Sequence, residues 1–523
     1  MACTLESTPA SYNGIPISRS NINTAISRLN EITDQIMTIT NVPGISIAVV
    51  WCGETVYAEG FGVKNVVTNE PIDPMTVFPL ASLSKPIGAT VIARVITQTE
   101  VKWDDPIIKY IPTFELSDKY VTSNVTIGDM YSHRSGLPTT SGDSLEDLGF
   151  TRDNILEKLR YVPLLPFRLT HQYANFGTTI GGVAVANSQN MSWELLSKTT
   201  LYEPLGMVST SSSYKDFVNQ NNRVTPYQYN VSDGTWVETI EQRNPDEQSP
   251  AGGVSSNVID VAEWMKLILS NGDYKIKIDT DALYPMLSPQ IPTAPQISSL
   301  NARPAYYGFG IGGKVDSSGR VQYSHSGVFL LGAATCVTML PSERLGIVVL
   351  TNGSPLGIPE AISQIFLDLV EYGNVEMDWV SLLRERLLGL YKNPSILAEE
   401  DLSSSQTGIN YNKYTGTFSN NYYGPLKITL ENNKLVMYIG TKQFDLTYWH
   451  NETFYYYPTG ENSTGVAGVF FTDSQNCVRI ENLEENLNIF CKSKSIILGI
   501  SIGIVIIVAI IMGIILFLKF RST

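Results

Sequence analysis

Residues 78–86 read Phe78-Pro79-Leu80-Ala81-Ser82-Leu83-Ser84-Lys85-Pro86 and open an apolar run with helical spacing. Residues three apart share a helix face, so the Ser82 hydroxyl and the Lys85 amine can reach each other across one turn. A lysine whose charge is disfavoured by burial can accept the serine proton, and an amide at a helix N-terminus can bind an oxyanion. Ser-x-x-Lys is common by chance, however, and Ser82 as a plain helix N-cap is the alternative interpretation.

The composition indicates a folded protein and excludes several classes of function. The chain has 523 residues, of which 43% are hydrophobic and 16% charged, and this is room for more than one domain. A net charge of -14 leaves no basic surface for phosphates, so nucleic acid is not expected as a partner. The five cysteines form no Cys-x-x-Cys pair and the four histidines no His-x-x-x-His pair. We therefore expect no metal, no cofactor and no disulfide framework, although a Cys477–Cys491 bridge is possible.

One segment near the end of the sequence predicts membrane attachment. Residues 496–518 contain no charged side chain and are dominated by Ile, Leu, Val and Gly. As a helix they would be roughly 35 Å long, enough to cross a bilayer. Met1–Ser7 shows no secretory signal. We therefore expect a single-pass membrane protein that contacts the lipid bilayer through this helix, with the side of its catalytic part left open.

The order of elements predicts a sheet built from both ends of one domain. Residues 22–39 have helical periodicity, 44–51 read as a buried strand, and 54–59 as its hairpin partner. A mostly helical section follows to about residue 250. Apolar strands return at 330–340 and 346–351 and precede another helix. This order places the Ser82 helix between the two ends of the sheet.

Residues 411–491 differ in character from the part before them. Tyrosine and phenylalanine are abundant there, and short runs alternate between apolar and polar side chains. We expect a small all-β domain, either a barrel or a curved sheet, whose aromatic side chains fill its interior.

Several further motifs follow Ser82 in a consistent order: Ser132-His133-Arg134-Ser135-Gly136-Leu137-Pro138, Tyr173-Ala174-Asn175, Ala251-Gly252-Gly253, Tyr307-Gly308-Phe309-Gly310 and His325-Ser326-Gly327. With Val42-Pro43-Gly44 before it, this series resembles the serine β-lactamase and penicillin-binding superfamily. The resemblance is closest to the class C-like branch, which includes esterases, D-aminopeptidases and lactamase-like proteins of eukaryotes.

The resemblance implies an α+β fold, in which an antiparallel sheet flanked by helices lies beside a helical subdomain, with the active site in the cleft between them. It covers residues 22–375, the expected catalytic domain. A helix and linker at 376–410, the small all-β domain at 411–491 and the transmembrane helix at 496–518 complete the expected organisation.

The same resemblance implies roles for individual residues. Ser82 would be the acylated nucleophile, and Lys85 would lower the barrier to its deprotonation. Tyr173 would act as general base or proton relay, with a pKa lowered by the nearby lysine. Asn175 would bind Lys85 or the substrate amide. The backbone N–H groups of Ser82 and Val328 would form the oxyanion hole.

One departure from the family pattern bears on the substrate. Typical members carry Lys-Thr-Gly where this chain has His325, Ser326 and Gly327 as substrate-binding residues. A lysine supplies a permanent positive charge for a substrate carboxylate, whereas histidine is neutral much of the time at pH 7. The change favours ester, amide or peptide substrates over penicillins or a C-terminal D-Ala carboxylate.

Three functional hypotheses follow. The first is a membrane-anchored serine hydrolase of esterase or peptidase type that acts through an acyl-enzyme on Ser82. The second is a β-lactamase or D-Ala-type peptidase, and the third is a non-catalytic scaffold that keeps the fold. His133 is expected to brace its loop, while His171 and His450 are expected to have no special role.

Overall fold

The computed structural model describes residues 17–293, 303–316, 318–403, 409–463, 465–472 and 475–492. Its helices, in chain order, are α1 (Arg19–Thr40), α2 (Ser84–Gln98), α3 (Lys119–Asn124), α4 (Ile127–Tyr131), α5 (Asp143–Asp147), α6 (Arg152–Lys158), α7 (Asn175–Ser188), α8 (Trp193–Ser197), α9 (Glu203–Leu205), α10 (Tyr214–Val218), α11 (Ser249–Gly252), α12 (Val258–Leu269), α13 (Thr280–Leu287), α14 (Ile358–Tyr372) and α15 (Trp379–Leu387).

The strands belong to one large sheet, one barrel and three short pairs. In chain order they are β1 (Gly44–Trp51), β2 (Glu54–Asn65), β3 (Glu70–Pro71), β4 (Phe78–Pro79), β5 (Tyr227–Asn230), β6 (Thr235–Glu238), β7 (Ser255–Ser256), β8 (Asp273–Tyr274), β9 (Ile276–Lys277), β10 (Ile291–Pro292), β11 (Ala305–Tyr307), β12 (Gly312–Val315), β13 (Val321–Phe329), β14 (Ala333–Leu340), β15 (Leu345–Thr351), β16 (Gly416–Asn420), β17 (Gly424–Glu431), β18 (Lys434–Ile439), β19 (Lys442–Tyr448), β20 (Thr453–Tyr456), β21 (Ala467–Thr472), β22 (Cys477–Ile480) and β23 (Ile489–Cys491).

The nine-stranded sheet joins the early and late parts of the chain, in the order β10-β11-β12-β13-β14-β15-β1-β2-β3. Strand β1 pairs antiparallel with both β2 and β15, and Ile47 lies opposite Val349. Side chains along β1 alternate between two buried faces, because successive residues of a strand point to opposite sides. Ile47 packs with α1 and α14, and Ala48 with the helical part that contains α2 and α12. The predicted sheet between helices, with a helical part beside it, is therefore confirmed.

The Ser82 segment lies between the sheet and the helical part. Ala81–Leu83 form a 3-10 turn, and α2 begins only at Ser84. The sequence predicts a helix that begins at Ser82. In the structure the 3-10 turn takes the place of the first two residues of that helix. Ala81 has φ 48°, a left-handed conformation that an alanine adopts only when the surrounding contacts hold it there. Almost all of α2 is buried, so the turn has a rigid support.

The sequence predicts a strand that begins at residue 330, after the His325 motif. In the structure the motif lies inside a strand, β13. Strand β13 pairs with β14 in continuous register from Tyr323 opposite Met339 to Phe329 opposite Ala333. On its other edge, β12 pairs with β13 no further than Ser324. From His325 onward, β13 therefore has no partner on this edge among the described strands.

The second all-β unit is a closed eight-stranded barrel, β16–β23, which we call the barrel. Its interior holds buried rings in edge-to-face and tilted contacts, among them Tyr414, Phe454 and Phe471. A disulfide joins Cys477 in β22 to Cys491 in β23, and Cys52 is also disulfide-bonded. Of the two forms expected for this all-β domain, the structure has the barrel, and the possible Cys477–Cys491 bridge is present. The domain boundaries at 22–375, 376–410 and 411–491 stay predictions.

Membrane attachment is corrected. Across the described ranges, no helix is both long enough and apolar enough to cross a bilayer. The segment 496–518, on which the prediction depended, lies outside those ranges. The expected localisation as a single-pass membrane protein, with bilayer contact through that helix, therefore does not enter the function proposed below.

Candidate active site

The Ser82 hydroxyl and the Lys85 amine lie together as their spacing predicts. Lys85 Nζ is 3.1 Å from Ser82 Oγ. The lysine side chain is fully buried, whereas Ser82 is partly accessible from the cleft. The pair therefore places a nucleophile at the surface of the cleft and its potential proton acceptor beneath it.

Two further acceptors surround the lysine amine. Lys85 Nζ is 2.8 Å from Asn175 Oδ1 and 3.0 Å from the Ala251 carbonyl oxygen. Burial lowers the pKa of Lys85 to about 7, and the Asp143 carboxyl partly opposes that change. A neutral amine can donate to Asn175 and Ala251 and still accept the Ser82 proton through its lone pair. The site thus holds a base with a pKa close to neutrality, the condition for efficient proton transfer.

Tyr173 lies beside this pair, but its pKa does not fall as expected. Burial raises the pKa of the Tyr173 phenol, and a hydrogen bond with Ser82 only partly opposes this. Lys85 Nζ lies over the phenol ring, 4.5 Å from its centre. The prediction of a lowered pKa is therefore wrong, because desolvation outweighs the nearby lysine. At neutral pH Tyr173 is a phenol that can donate one proton and accept another.

The loop that carries Tyr173 is anchored by a buried ionic cluster. Asp129 is fully buried and pairs with Arg134 at 2.7 Å and with Arg168 at 2.7 Å. The two arginines hold the pKa of Asp129 below its usual value despite its burial. His133 Nδ1 accepts a 3.2 Å hydrogen bond from the Ala174 N–H, next to Tyr173. This is the bracing geometry expected of His133, and burial lowers the pKa of its imidazole well below the usual value.

His325 is held as a neutral imidazole. Its Nδ1 lies 2.7 Å from the Ser326 carbonyl oxygen, and its Nε2 lies 2.7 Å from the Tyr307 hydroxyl. A carbonyl can only accept, so Nδ1 carries the proton and Nε2 accepts from Tyr307. Burial, aided by the charge of Lys85, lowers the pKa of His325 to about 3. No positive charge is therefore available at this position at neutral pH.

Gly327 brings β13 against the Ser82 turn. A Cβ at this position would lie 2.1 Å from the Leu80 carbonyl oxygen and 2.9 Å from the Ser82 backbone nitrogen. Only glycine permits this approach. Val328 follows directly, so its backbone belongs to the strand segment that faces the Ser82 turn.

The Ser326 side chain is the predicted site residue that the structure does not bring to the cleft. It lies against Glu360 of α14 and Cys336 of β14. Successive residues of β13 point to opposite faces of the sheet, so Ser326 faces away from its neighbour His325. Its contribution to the cleft is limited to the backbone carbonyl that holds His325.

Three groups of the site were not predicted from the sequence. The Ala251 carbonyl and Tyr307 both belong to motifs noted in the sequence, but nothing in those motifs indicates a contact with Lys85 or His325. Asp143 has no sequence signal at all. Its carboxylate oxygens accept from Asn175 Nδ2 at 3.4 and 3.2 Å. In the described part of the chain, no group of three or more His, Cys, Asp or Glu side chains could hold a metal ion.

Comparison with known proteins gives a consistent relationship. A family model described as Beta-lactamase matches residues 29–364. Unguisins hydrolase ungD' of Aspergillus campestris (strain IBT 28561) is 29% identical over 250 residues, which cover 46% of this chain and 46% of that protein. Protein flp of Staphylococcus aureus (strain COL) is 22% identical over 340 residues, or 64% of each chain.

A solved structure, that of the octameric penicillin-binding protein homologue from Pyrococcus abyssi, matches with a TM-score of 0.60 at 21% identity. The match covers 89% of this chain and 99% of that one, and at this identity it concerns the fold alone. The chain spans about half the length of the Aspergillus relative, with 46% of it covered.

Proposed function

Because the chain belongs to the beta-lactamase family, we propose that it is a serine hydrolase acting through an acyl-enzyme on Ser82. Its substrates are esters, amides or peptides that need no carboxylate for recognition. Residues 22–375 form the proposed catalytic domain. The observation that carries the proposal is the buried Lys85 amine, 3.1 Å from Ser82 Oγ, with a pKa lowered to about 7.

Acylation follows from the positions of the two groups. Ser82 Oγ forms a bond to the substrate carbonyl carbon while its proton passes to Lys85 Nζ. The carbonyl electron pair moves to oxygen, where the backbone N–H groups of Ser82 and Val328 are the proposed donors. The contact of Gly327 with the Ser82 turn supports this assignment, because it keeps the two backbone segments together.

Collapse of the tetrahedral intermediate breaks the bond to the leaving oxygen or nitrogen. The lysine proton returns to this leaving group through the Tyr173 hydroxyl, which donates one proton as it accepts another. The raised pKa of Tyr173 suits a relay, since the phenol stays protonated in the resting state. Water then attacks the acyl-enzyme in the reverse sense, releases the acid and restores the Ser82 hydroxyl.

The neutral His325 imidazole supports the substrate class. A β-lactam or a D-Ala-terminated peptide carries a carboxylate, and its binding gains most from a fixed cation. Both nitrogens of His325 are engaged, and its pKa of about 3 leaves it uncharged. The hydrolase name of the Aspergillus relative also agrees with a hydrolytic reaction, although it covers less than half of this chain.

Intact-mass analysis tests the proposal. The protein is exposed separately to a fluorophosphonate, a p-nitrophenyl ester and a penicillin, and ester turnover is recorded on the same samples. We expect a Ser82-dependent adduct and faster reaction with the ester than with penicillin. Ser82→Ala should abolish both the adduct and ester turnover. Ser123 is an exposed serine on α3, and Ser123→Ala should behave as the unaltered protein.

Two other results would redirect the assignment. Saturating turnover of penicillin at a rate above that of the ester would favour a β-lactamase or D-Ala-type peptidase. A folded protein that forms no adduct with any reagent would contradict catalysis and favour a scaffold that retains the fold.

A further inference from the structure

The barrel contacts a turn of the helical part that lies beside the active site. This turn, Gly142-Asp143-Ser144, begins α5, and Gly142 has φ +95°; a Cβ at this position would lie 2.5 Å from the Phe176 ring. Glu484 belongs to the connection between β22 and β23 of the barrel. The family match ends at residue 364, so Glu484 lies outside the region that the family model covers.

Glu484 binds the turn on both sides of Asp143. Its Oε1 accepts hydrogen bonds from the Gly142 N–H at 2.8 Å and the Ser144 hydroxyl at 3.1 Å. It also accepts from the Tyr422 hydroxyl at 2.6 Å. Tyr423 adds a contact, with its hydroxyl 2.8 Å from Ser144 Oγ. A carboxylate oxygen with three donors is a strong anchor, because hydrogen bonds to a charged acceptor are stronger than neutral ones.

Asp143 connects the anchored turn to Lys85 through the side chain of Asn175. Its side chain is 5% exposed and accepts both hydrogen bonds from Asn175 Nδ2. The amide of Asn175 therefore turns its nitrogen to Asp143 and its oxygen to Lys85, 2.8 Å from Nζ. Without an acceptor at residue 143, the amide is free to rotate and present its N–H groups to the lysine. Asp143 thus determines which end of Asn175 faces the catalytic base.

We propose that Glu484 of the barrel is a positioning residue for Lys85, which acts by holding the Asp143 turn so that Asn175 presents its oxygen to the amine. The inference rests on the proposed function in one respect only, that Lys85 is the base for Ser82. It gives the barrel a part in catalysis that is exerted through Asp143 and Asn175.

Several titratable groups face Lys85 and Asp143, the two residues that Asn175 links. Lys85 is faced by Asp143, by Tyr173 and by the imidazoles of His133 and His325. Asp143 is faced by Glu146, Glu484, Asp147 and Arg243. Burial raises the pKa of Asp143 well above its usual value, and Glu146 and Glu484 raise it further. Any change at Glu484 must therefore be judged by the titration of Lys85 and not by turnover alone.

The test compares Glu484→Ala with Glu484→Gln in the full chain. Glu484→Ala removes the carboxylate acceptor and should lower kcat about tenfold with little change in KM. It should also move the acid limb of the pH profile to lower pH by at least ~0.5 unit, since loss of the Asn175 oxygen disfavours the lysine ammonium. Glu484→Gln keeps an acceptor oxygen and should recover most of kcat. Glu485→Ala changes the exposed neighbouring glutamate and serves as the matched control.

Asp143→Ala and Asp143→Asn extend the test to the residue that lies between Glu484 and Asn175. The alanine variant should reproduce the Glu484→Ala profile, and the asparagine variant should retain an acceptor and most of kcat. If Glu484→Ala fails to fold, Tyr422→Phe removes one of the donors to the same oxygen and should give a smaller shift in the same direction. A folded Glu484→Ala variant with unaltered kcat and acid limb would overturn the proposal.

An NMR titration of 13C-lysine-labelled protein separates this inference from the proposed function. The Lys85 signal is assigned with a Lys85→Met variant, and its pKa is followed in the unaltered, Glu484→Ala and Glu485→Ala proteins. A lower Lys85 pKa in Glu484→Ala alone would support the positioning role even if no substrate is turned over. An unmoved Lys85 pKa would overturn it whether or not the protein is an enzyme.

Discussion

The Tyr307 hydroxyl donates a 2.7 Å hydrogen bond to Nε2 of His325, so the acceptor position of this nitrogen is already occupied. The other ring nitrogen donates to the Ser326 carbonyl, so both nitrogens are occupied without a second proton. Burial, together with the charge of Lys85, lowers the pKa of His325 to about 3 and keeps the imidazole neutral. The cleft therefore lacks, at this position, the cation that a lysine would supply.

Replacement of that histidine by lysine should shift substrate preference. In His325→Lys we expect the rate of penicillin acylation, relative to that of a neutral ester, to rise about tenfold or more. The reason is that one charge-assisted hydrogen bond to a carboxylate contributes roughly 1.5–3 kcal/mol. Intact-mass time courses with both reagents measure the ratio. His325→Gln adds no charge and should leave the ratio near its original value, and an equal rise there would contradict the electrostatic explanation.

The pH dependence of ester hydrolysis should report Lys85. Its pKa is lowered to about 7, and only the neutral amine can accept the Ser82 proton. We therefore expect log(kcat/KM) to rise with unit slope below about pH 7 and to level off above it. Lys85→Met, which keeps the length of the side chain but not the amine, should remove this limb and lower kcat/KM by at least ~100-fold. An acid limb that persists in Lys85→Met would assign the base to another group.

Gly327→Ala should damage the site through steric contact. The added methyl would lie 2.1 Å from the Leu80 oxygen and 2.9 Å from the Ser82 nitrogen, so strand and turn must separate. We expect fluorophosphonate labelling of Ser82 to slow by ~100-fold or more, a loss similar to that of an oxyanion-hole donor. Gly389→Ala is the matched control, since a Cβ there meets no atom within 4 Å. Unchanged labelling in Gly327→Ala would show that the turn and the strand need not be in contact.

Removal of the barrel disulfide should lower stability. Cys477 and Cys491 are 14 residues apart, and a bridge closing a loop of this length contributes about 3 kcal/mol by restricting the unfolded chain. The double variant Cys477→Ser/Cys491→Ser should therefore show a lower midpoint of chemical denaturation for the barrel. Ser419→Ala, at an exposed position opposite Cys491 on β16, should change the free energy of unfolding by less than ~0.5 kcal/mol. An unchanged midpoint in the double variant would contradict a stabilising role.

The sequence by itself determined the fold and the reacting pair. Alternating and helical periodicities follow directly from the geometry of strands and helices, so they predict the sheet, its helices and a small all-β domain that is either a barrel or a curved sheet. The spacing of Ser82 and Lys85 is local, and for this reason the distance between them could be predicted. The apolar run 496–518 predicts membrane attachment, but it lies outside the described ranges, and no helix within those ranges is long and apolar enough to cross a bilayer.

Only the tertiary structure decided how the two reacting groups are tuned and what surrounds them. Burial lowers the pKa of Lys85. Burial also raises the pKa of Tyr173, because desolvation of the phenol outweighs the nearby Lys85. The contact of Asn175 with Asp143 joins residues 32 positions apart, and that of Gly142 with Glu484 joins residues 342 positions apart. Such contacts leave no periodic trace in a sequence, because they depend on where separate elements pack and not on the spacing within any one of them.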